Sequence, residues 1–251
     1  MIDQRQGQAT CWSRLSYYSG LAPGGGLTFP DDVMVVPLAP EPLDPVGRGR
    51  SLVWTKDAKE QWMASGWLSS RTPTQYLTVR SRPASAALRV APPGPSGGPE
   101  VRNGLGGDVR QALIRDAKGD YFWVDNLADG GTAAASPVQA ADALQRLRAT
   151  CGEADPKPPP GMNPQVAGMN YGRRRYYGRY YGAYASGGQT ASSRTARMES
   201  VIWALASGAA DKEGILEPGS YAAVVDRSPE VVLGTPTAKE EAGFHVVIGK
   251  W

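Results

Sequence analysis

Glycine and proline decide most of what this chain can become. There are 31 glycines and 21 prolines in 251 residues, spread along most of the sequence. Long helices do not survive such spacing. Proline removes a backbone donor and clashes with the preceding turn, and glycine costs more conformational entropy on ordering than any other residue. Short strands joined by many turns do survive it. Hydrophobic residues make up 41% and charged residues 20%. That is enough apolar material for a core, in one large domain or two small ones. The expected fold is mainly β with two helices, its antiparallel sheets arranged like a sandwich and interrupted by a flexible Tyr/Arg/Gly insert.

Several runs between the breakers read as strands. VMVVPLAP (33–40) is short and apolar, and Pro37 confines it to a sheet edge or a strand end. SLVWTKD (51–57) alternates, and QYLTVRS (75–81) and AALRVAP (86–92) follow. EQWMASGWLSS (60–70) fits neither period, because Trp62 and Trp67 are five apart. Residues 1–30 read as turn-rich, with GLAPGGGLTFP as loop, and PPGPSGG (92–98) is a break. The clearest hairpin is DVRQALIRD, AKG, DYFWVDNL (108–127), and GTAAASPV (131–138) closes that unit. Trp54, Trp62, Trp67 and Trp123 are expected mostly in the β core.

A helix is expected over 136–152. Ser136 is a good N-cap, Pro137 suits the first helical position and Gln139 completes a capping box. Val138, Ala141, Leu144, Leu147 and Cys151 form its apolar stripe, and Gly152 stops it. PKPPPGMNP (156–164) is an extended linker. SSRTARMESVIWALASG (192–208) reads as a second helix, with Met198, Val201, Ile202 and Leu205 on one face. SYAAVVD (220–226), EVVLG (230–234) and GFHVVIGKW (243–251) return to strand, either completing the first sheet or standing apart. The organisation expected is therefore a β-sandwich-like domain over 1–135, a helix over 136–152, a flexible Pro-rich and Tyr/Arg/Gly-rich segment over 153–191, and a helix with C-terminal strands over 192–251.

Catalytic patterns are scarce. His245 is the single histidine, in an apolar strand; Glu240 and Glu241 lie near it in sequence, but it reads as a half-buried strand residue. Cys11, Cys151 and His245 are the soft ligands, without paired spacing, so no metal site is expected. Asp31 and Asp32 lack a calcium-loop pattern and read as a polar turn. GLGGDV (104–109) begins like a dinucleotide fingerprint and fails at Val109; Gly104, Gly106 and Gly107 read as a tight turn. No phosphate loop or nucleophile elbow is present, and no cofactor is expected. Carboxylate pairs for hydrolysis need only spatial proximity, which no pattern reveals. Cys11 and Cys151 read first as two buried thiols; in an exported chain they can pair as a disulfide.

The start, MIDQRQGQATCW, has no apolar h-region, and the longest apolar run, VIWALASGAA, is too short to span a bilayer. No transmembrane segment is expected. Net charge is +3, but seven basic residues and no acidic ones fall between Pro156 and Met198. Basicity is therefore local. Its centre is NYGRRRYYGRYYGAYASGG (170–188), where Arg173, Arg174, Arg175 and Arg179 interleave with Tyr176, Tyr177, Tyr180 and Tyr181. This chemistry suits a connector, a protein contact rich in Tyr and Arg, or stacking on single-stranded nucleic acid, in that order.

The runs SLVWTKDAKEQWMASGWLSSRTPTQYLTVRSR (51–82) and NGLGGDVRQALIRDAKGDYFWVDNLADGG (103–131) resemble stretches of uncharacterised bacterial envelope proteins. In those a β-sandwich-like ectodomain accompanies a membrane anchor. The resemblance implies an envelope or extracytoplasmic location and brings no catalytic residues. The expected function is a non-enzymatic structural or protein-interaction module of the bacterial cell envelope, with a protein or envelope-surface partner. The alternatives are single-stranded nucleic-acid binding through the Tyr/Arg segment, and a hydrolase with unrecognised carboxylates.

Overall fold

The computed structural model of the protein describes residues 1–21, 24–37, 52–68, 74–93, 98–153, 216–236, 238, 240 and 243–251. The expected helix over 192–208, the linker at 156–164 and the Tyr/Arg segment lie outside the described residues. What is described is mainly β, with one helix among the described residues.

The strands of the N-terminal part are β1 (Ile2–Asp3), β2 (Gln8–Tyr17), β3 (Leu27–Pro30), β4 (Val33–Pro37), β5 (Val53–Lys56), β6 (Glu60–Ser65) and β7 (Thr74–Pro83). Then come β8 (Ala87–Pro93), β9 (Pro99–Gly104), β10 (Val109–Arg115), β11 (Tyr121–Leu127), β12 (Thr132–Ala134) and β13 (Ser136–Pro137). Helix α1 (Ala140–Glu153), β14 (Ser220–Val225) and β15 (His245–Lys250) complete the set. A nine-stranded sheet runs β13-β11-β10-β14-β15-β1-β2-β7-β4, and two three-stranded sheets run β12-β9-β8 and β3-β6-β5. The two C-terminal strands thus sit inside the long sheet, one of the two arrangements the sequence allowed.

The chain divides into two compact units. The first holds Met1–Ile114, Phe122–Ser136 and Gly219–Trp251. Two apolar clusters of its described residues lie between the sheets. One joins Ile2, Cys11, Ala112, Val124, Tyr221 and Val247 of the long sheet to Leu88 and Val101 of the β8–β9 sheet. The other joins Leu15, Val33, Val35 and Tyr76 of the long sheet to Leu27, Phe29 and Met63 of the β3–β6 sheet. Of the four tryptophans expected in the core, Trp67 and Trp123 are buried, Trp62 is half-buried and Trp54 is exposed.

The segment between β14 and β15 links these clusters. EVVLG was expected as a strand, but it is irregular. Several of its backbone groups are bonded without a sheet ladder. Val231 N–H closes a turn onto the Ser228 carbonyl, the Tyr17 hydroxyl donates to the Leu233 carbonyl at 2.6 Å, and Thr28 N–H donates to the Gly234 carbonyl at 2.6 Å. Gly234 has φ +72°, and a Cβ there would meet the Phe29 ring at 2.6 Å, so only glycine fits. The Arg82 guanidinium donates to Glu230 Oε2 at 2.6 Å; the Glu230 side chain is 2% exposed and that of Arg82 is 35% exposed. Val231 packs against both clusters.

Other departures from expectation have local causes. Residues 8–17 form the ten-residue strand β2, although residues 1–30 read as turn-rich; of its inward positions Ala9, Cys11, Ser13 and Leu15, the first three are too small or polar to announce a period of two. Likewise Leu27–Pro30 is strand β3, not loop, and Pro99–Gly104 is strand β9. EQWMASGWLSS resolves as strand over Glu60–Ser65. VMVVP is the sheet edge that Pro37 implied. The hairpin is as expected, with Asp116 Oδ1 accepting from Lys118 N–H and Asp120 N–H, and Gly119 at φ +99°.

The second unit holds Arg115–Tyr121 and Pro137–Pro218. Its helix starts later than the capping box implied. Val138 N–H donates to the Tyr121 carbonyl, and the first helical bond runs from Ala143 N–H to the Gln139 carbonyl. Gln139, not Ser136, therefore occupies the N-cap position. Ala143 and Leu147 are buried, whereas Ala141 of the expected stripe is exposed. The Arg115 guanidinium lies 5.2 Å from the Tyr121 ring centroid and donates to the Leu216 carbonyl at 2.6 Å.

Removing the cation from the buried pair leaves the Glu230 carboxylate uncompensated, so Arg82→Ala is expected to cost about 2–3 kcal/mol in urea denaturation, reduced from a fully buried pair by the exposure of Arg82; Glu230→Gln should cost less. Tyr221 and Tyr76 are each pushed up to about 12, chiefly by burial. Unfolded tyrosine titrates near 10. Their contribution is complete below about pH 10 and is lost as pH rises from 10 through 12. The urea midpoint should fall across that window, less steeply in Tyr221→Phe, with phenolate absorbance rising as the fold is lost.

Candidate interaction surface

Alternation along β2, β7 and β4 sends one set of side chains into the clusters and the other set outward. The inward set includes Cys11, Leu15, Tyr76, Val33 and Val35. The register aligns the outward set. Trp12 pairs with Val79, and Val79 with Met34; Arg14 pairs with Leu77, and Leu77 with Val36. Two rows thus cross three strands. Met34 is 54% exposed, Val36 38% and Trp12 36%, while Leu77 and Val79 are half-buried among them.

The same face behaves differently farther along the sheet. On β10, β14 and β15, the residues that alternate with the cluster members are Leu113, Ala222, Val224, Val246 and Ile248, and all are buried. Both faces of β14 and of β15 are therefore out of water along nearly their whole length. The apolar face continues past this covered region onto β2, β7 and β4, where it lies open. Isolated exposed apolar residues are ordinary, whereas adjoining rows on a sheet face form a continuous patch, which makes this face the candidate surface.

Polar residues frame the rows. Thr10 and Ser81 share a hydrogen bond at 3.0 Å on one side. On the other side Arg14 donates twice to Gln75 Oε1, at 3.1 and 2.5 Å. Across the outward positions of the three strands, Gln8 to Ser16, Gln75 to Pro83, Met34 and Val36, Arg14 is the one ionisable side chain. Its partner there is a neutral amide, and no carboxylate pairs with it among the described residues.

The backbone edge of β4 is less available than its face. Val33 and Val35 are buried, and the Gln61 side chain donates to the Val33 carbonyl. Asp32 Oδ2 accepts from Arg80 Nε at 2.8 Å at the start of the strand. Asp31 and Asp32 thus form the polar turn expected of them, and no group of three or more His, Cys, Asp or Glu among the described residues can hold a metal.

The residues singled out in the sequence are distributed as follows. Arg173, Arg174, Arg175, Tyr176, Tyr177, Arg179, Tyr180 and Tyr181 lie outside the described residues. Cys11 is a buried free thiol, 3.2 Å from the Ser13 hydroxyl. Cys151 belongs to α1, with its side chain outside the description. His245 is buried at the start of β15, and its Nε2 lies 2.6 Å from Glu240 Oε1. That pair orients the imidazole. The glycine-rich run at 104–107 is a turn organised by Asn103. The Asn103 amide donates to the Gly107, Leu127 and Ala128 carbonyls, and its oxygen accepts from Leu105 N–H.

Sequence reading missed Trp12 and Met34 as surface residues. The signal was alternation with small inward residues, QATCWSRLSY, beside an apolar edge strand. An oxidation experiment reads the exposure directly. Met34 should convert to its sulfoxide at least about tenfold faster than the fully buried Met63, followed by peptide mass spectrometry in dilute peroxide. Equal rates would mean that the face is covered. Comparisons with protein families, curated proteins and solved structures found no match to this chain, so its functional reading rests on this geometry.

Proposed function

We propose that this protein is a non-enzymatic interaction module whose contact surface is the outward face of β2, β7 and β4. The observation that carries the reading is the pair of adjoining rows, Trp12–Val79–Met34 and Arg14–Leu77–Val36, with Trp12, Met34 and Val36 exposed on a paired sheet. Rigid elements hold such a surface more accurately than loops do. Exposed Trp and Met on a flat support suit a partner's apolar side chains. A sandwich-like arrangement of the layers is part of the proposal. It is supported by clusters that take side chains from both the long sheet and a short one. The envelope setting is proposed from the resemblance of the 51–82 and 103–131 runs.

The experiment separates a functional face from an incidental one. The double variant Trp12→Ser, Met34→Ser should stay folded, with stability within about 1 kcal/mol of the parent, because neither side chain is in a cluster. A photo-cross-linker at Val36 in living cells should give a discrete protein adduct that the double variant loses. A loss of several kcal/mol would make the face part of the core. A cross-linker that yields no adduct would also remove the reading.

A further inference from the structure

Resting on that reading, we infer that the occupant of this face is an apolar segment of another protein that carries a carboxylate, seated across Trp12, Met34 and Val36 with its acid on Arg14. Three observations select it. The first is charge. Arg14 is the single ionisable group on the outward positions of β2, β7 and β4, and its contact is with the neutral oxygen of Gln75. A guanidinium presents a fork of donors that a carboxylate matches in two parallel bonds. Such an acid would take over donors that Gln75 Oε1 now accepts.

The second is size. Three exposed side chains and two half-buried ones make a patch on the order of a few hundred Å², against roughly 800 Å² per partner in a stable globular interface. A peptide segment fits this area, and a second copy of the chain would bury too little. The third is geometry. The β4 edge is closed at Val33 and Val35, with the Val33 carbonyl bonded to Gln61. The segment therefore lies over the face by its side chains and does not extend the sheet as an added strand.

The test uses the full chain and two fluorescent twelve-residue peptides, alternating Leu or Val with Ser, one with a central Asp and the other with Lys. In fluorescence anisotropy at low salt, the Asp peptide should bind at least about tenfold more tightly than the Lys peptide. Arg14→Glu should invert that order, and Trp12→Ser with Met34→Ser should abolish both. Equal affinities, or no saturable binding, overturn the inference. So does dimerisation in sedimentation that the double variant loses, which would make the occupant a second copy. So does binding that appears only when residues 38–51 are replaced by a Gly/Ser linker, which would make it the chain's own segment. Binding to anionic vesicles that depends on Arg14 would make it a lipid surface and overturn the inference too. If the peptides fail while the Val36 adduct in cells persists, the partner class is wrong and the interaction reading stands.

Discussion

The first unit depends on the segment between Ser228 and Gly234, which joins two cores that share one sheet. The β8–β9 sheet and the β3–β6 sheet contribute to separate clusters, of seventeen and nine buried residues. Nine side chains are a thin basis for independent stability. Val231 packs against both clusters, and the backbone around it is fixed by Tyr17, Thr28 and Arg82. The pins reach back to β2, β3 and β7, so the smaller core is tied to the segment at several places. A buried carboxylate is costly in an apolar interior. Here Glu230 is tolerated because Arg82 reaches it from β7, and one Glu230 oxygen still lacks a partner among the described residues.

Aromatic hydroxyls do similar work in the same core. Tyr17 sits edge-on to Trp67 and Tyr76, with ring centroids 5.6 and 5.9 Å away. The Tyr76 hydroxyl donates to the Trp67 carbonyl, and the Trp67 indole donates to the Gly25 carbonyl. The loop after β6 is thereby fastened to a side chain of β7, and the loop before β3 to Trp67. In the larger core Tyr221 pairs with Gly249, and its hydroxyl donates to Gln4 and accepts from Leu88 N–H. A Cβ on Gly249 would collide with that hydroxyl. The glycine is a space for a neighbouring ring, as strand glycines often are.

The legible parts of the sequence were those with strong local grammar. Asp116-Ala-Lys-Gly between two apolar runs announces a hairpin, and Pro37 announces an edge. The illegible parts are those in which tertiary contacts override local preference. Val231, Val232 and Leu233 have strand chemistry, yet they pack as an irregular bridge because a turn at Ser228 and side-chain bonds take their backbone groups. Ser136 and Pro137 carry a helix start, yet they form a short strand beside β11. The candidate surface was hidden for a related reason. Exposure of Trp12 depends on which face of β2 the clusters take, and Ala9, Cys11 and Ser13 give too little contrast to reveal it. The single charge among the outward rows emerges only when the register brings three distant segments side by side.

One pairing bears on how the chain reaches this state. Ile2 lies parallel to Val247, and β15 stands between β1 and β14 in the middle of the long sheet. The centre of the sheet therefore cannot form until β15 has been synthesised. Until then β1 and β14, its two neighbours, each have an unfilled place beside them and a bare hydrogen-bonding edge. Contacts this remote in sequence make for slow folding and a long exposure of unpaired strands. During synthesis the protein has to wait for β15 with its sheet open, which is when a holding chaperone would matter most to it.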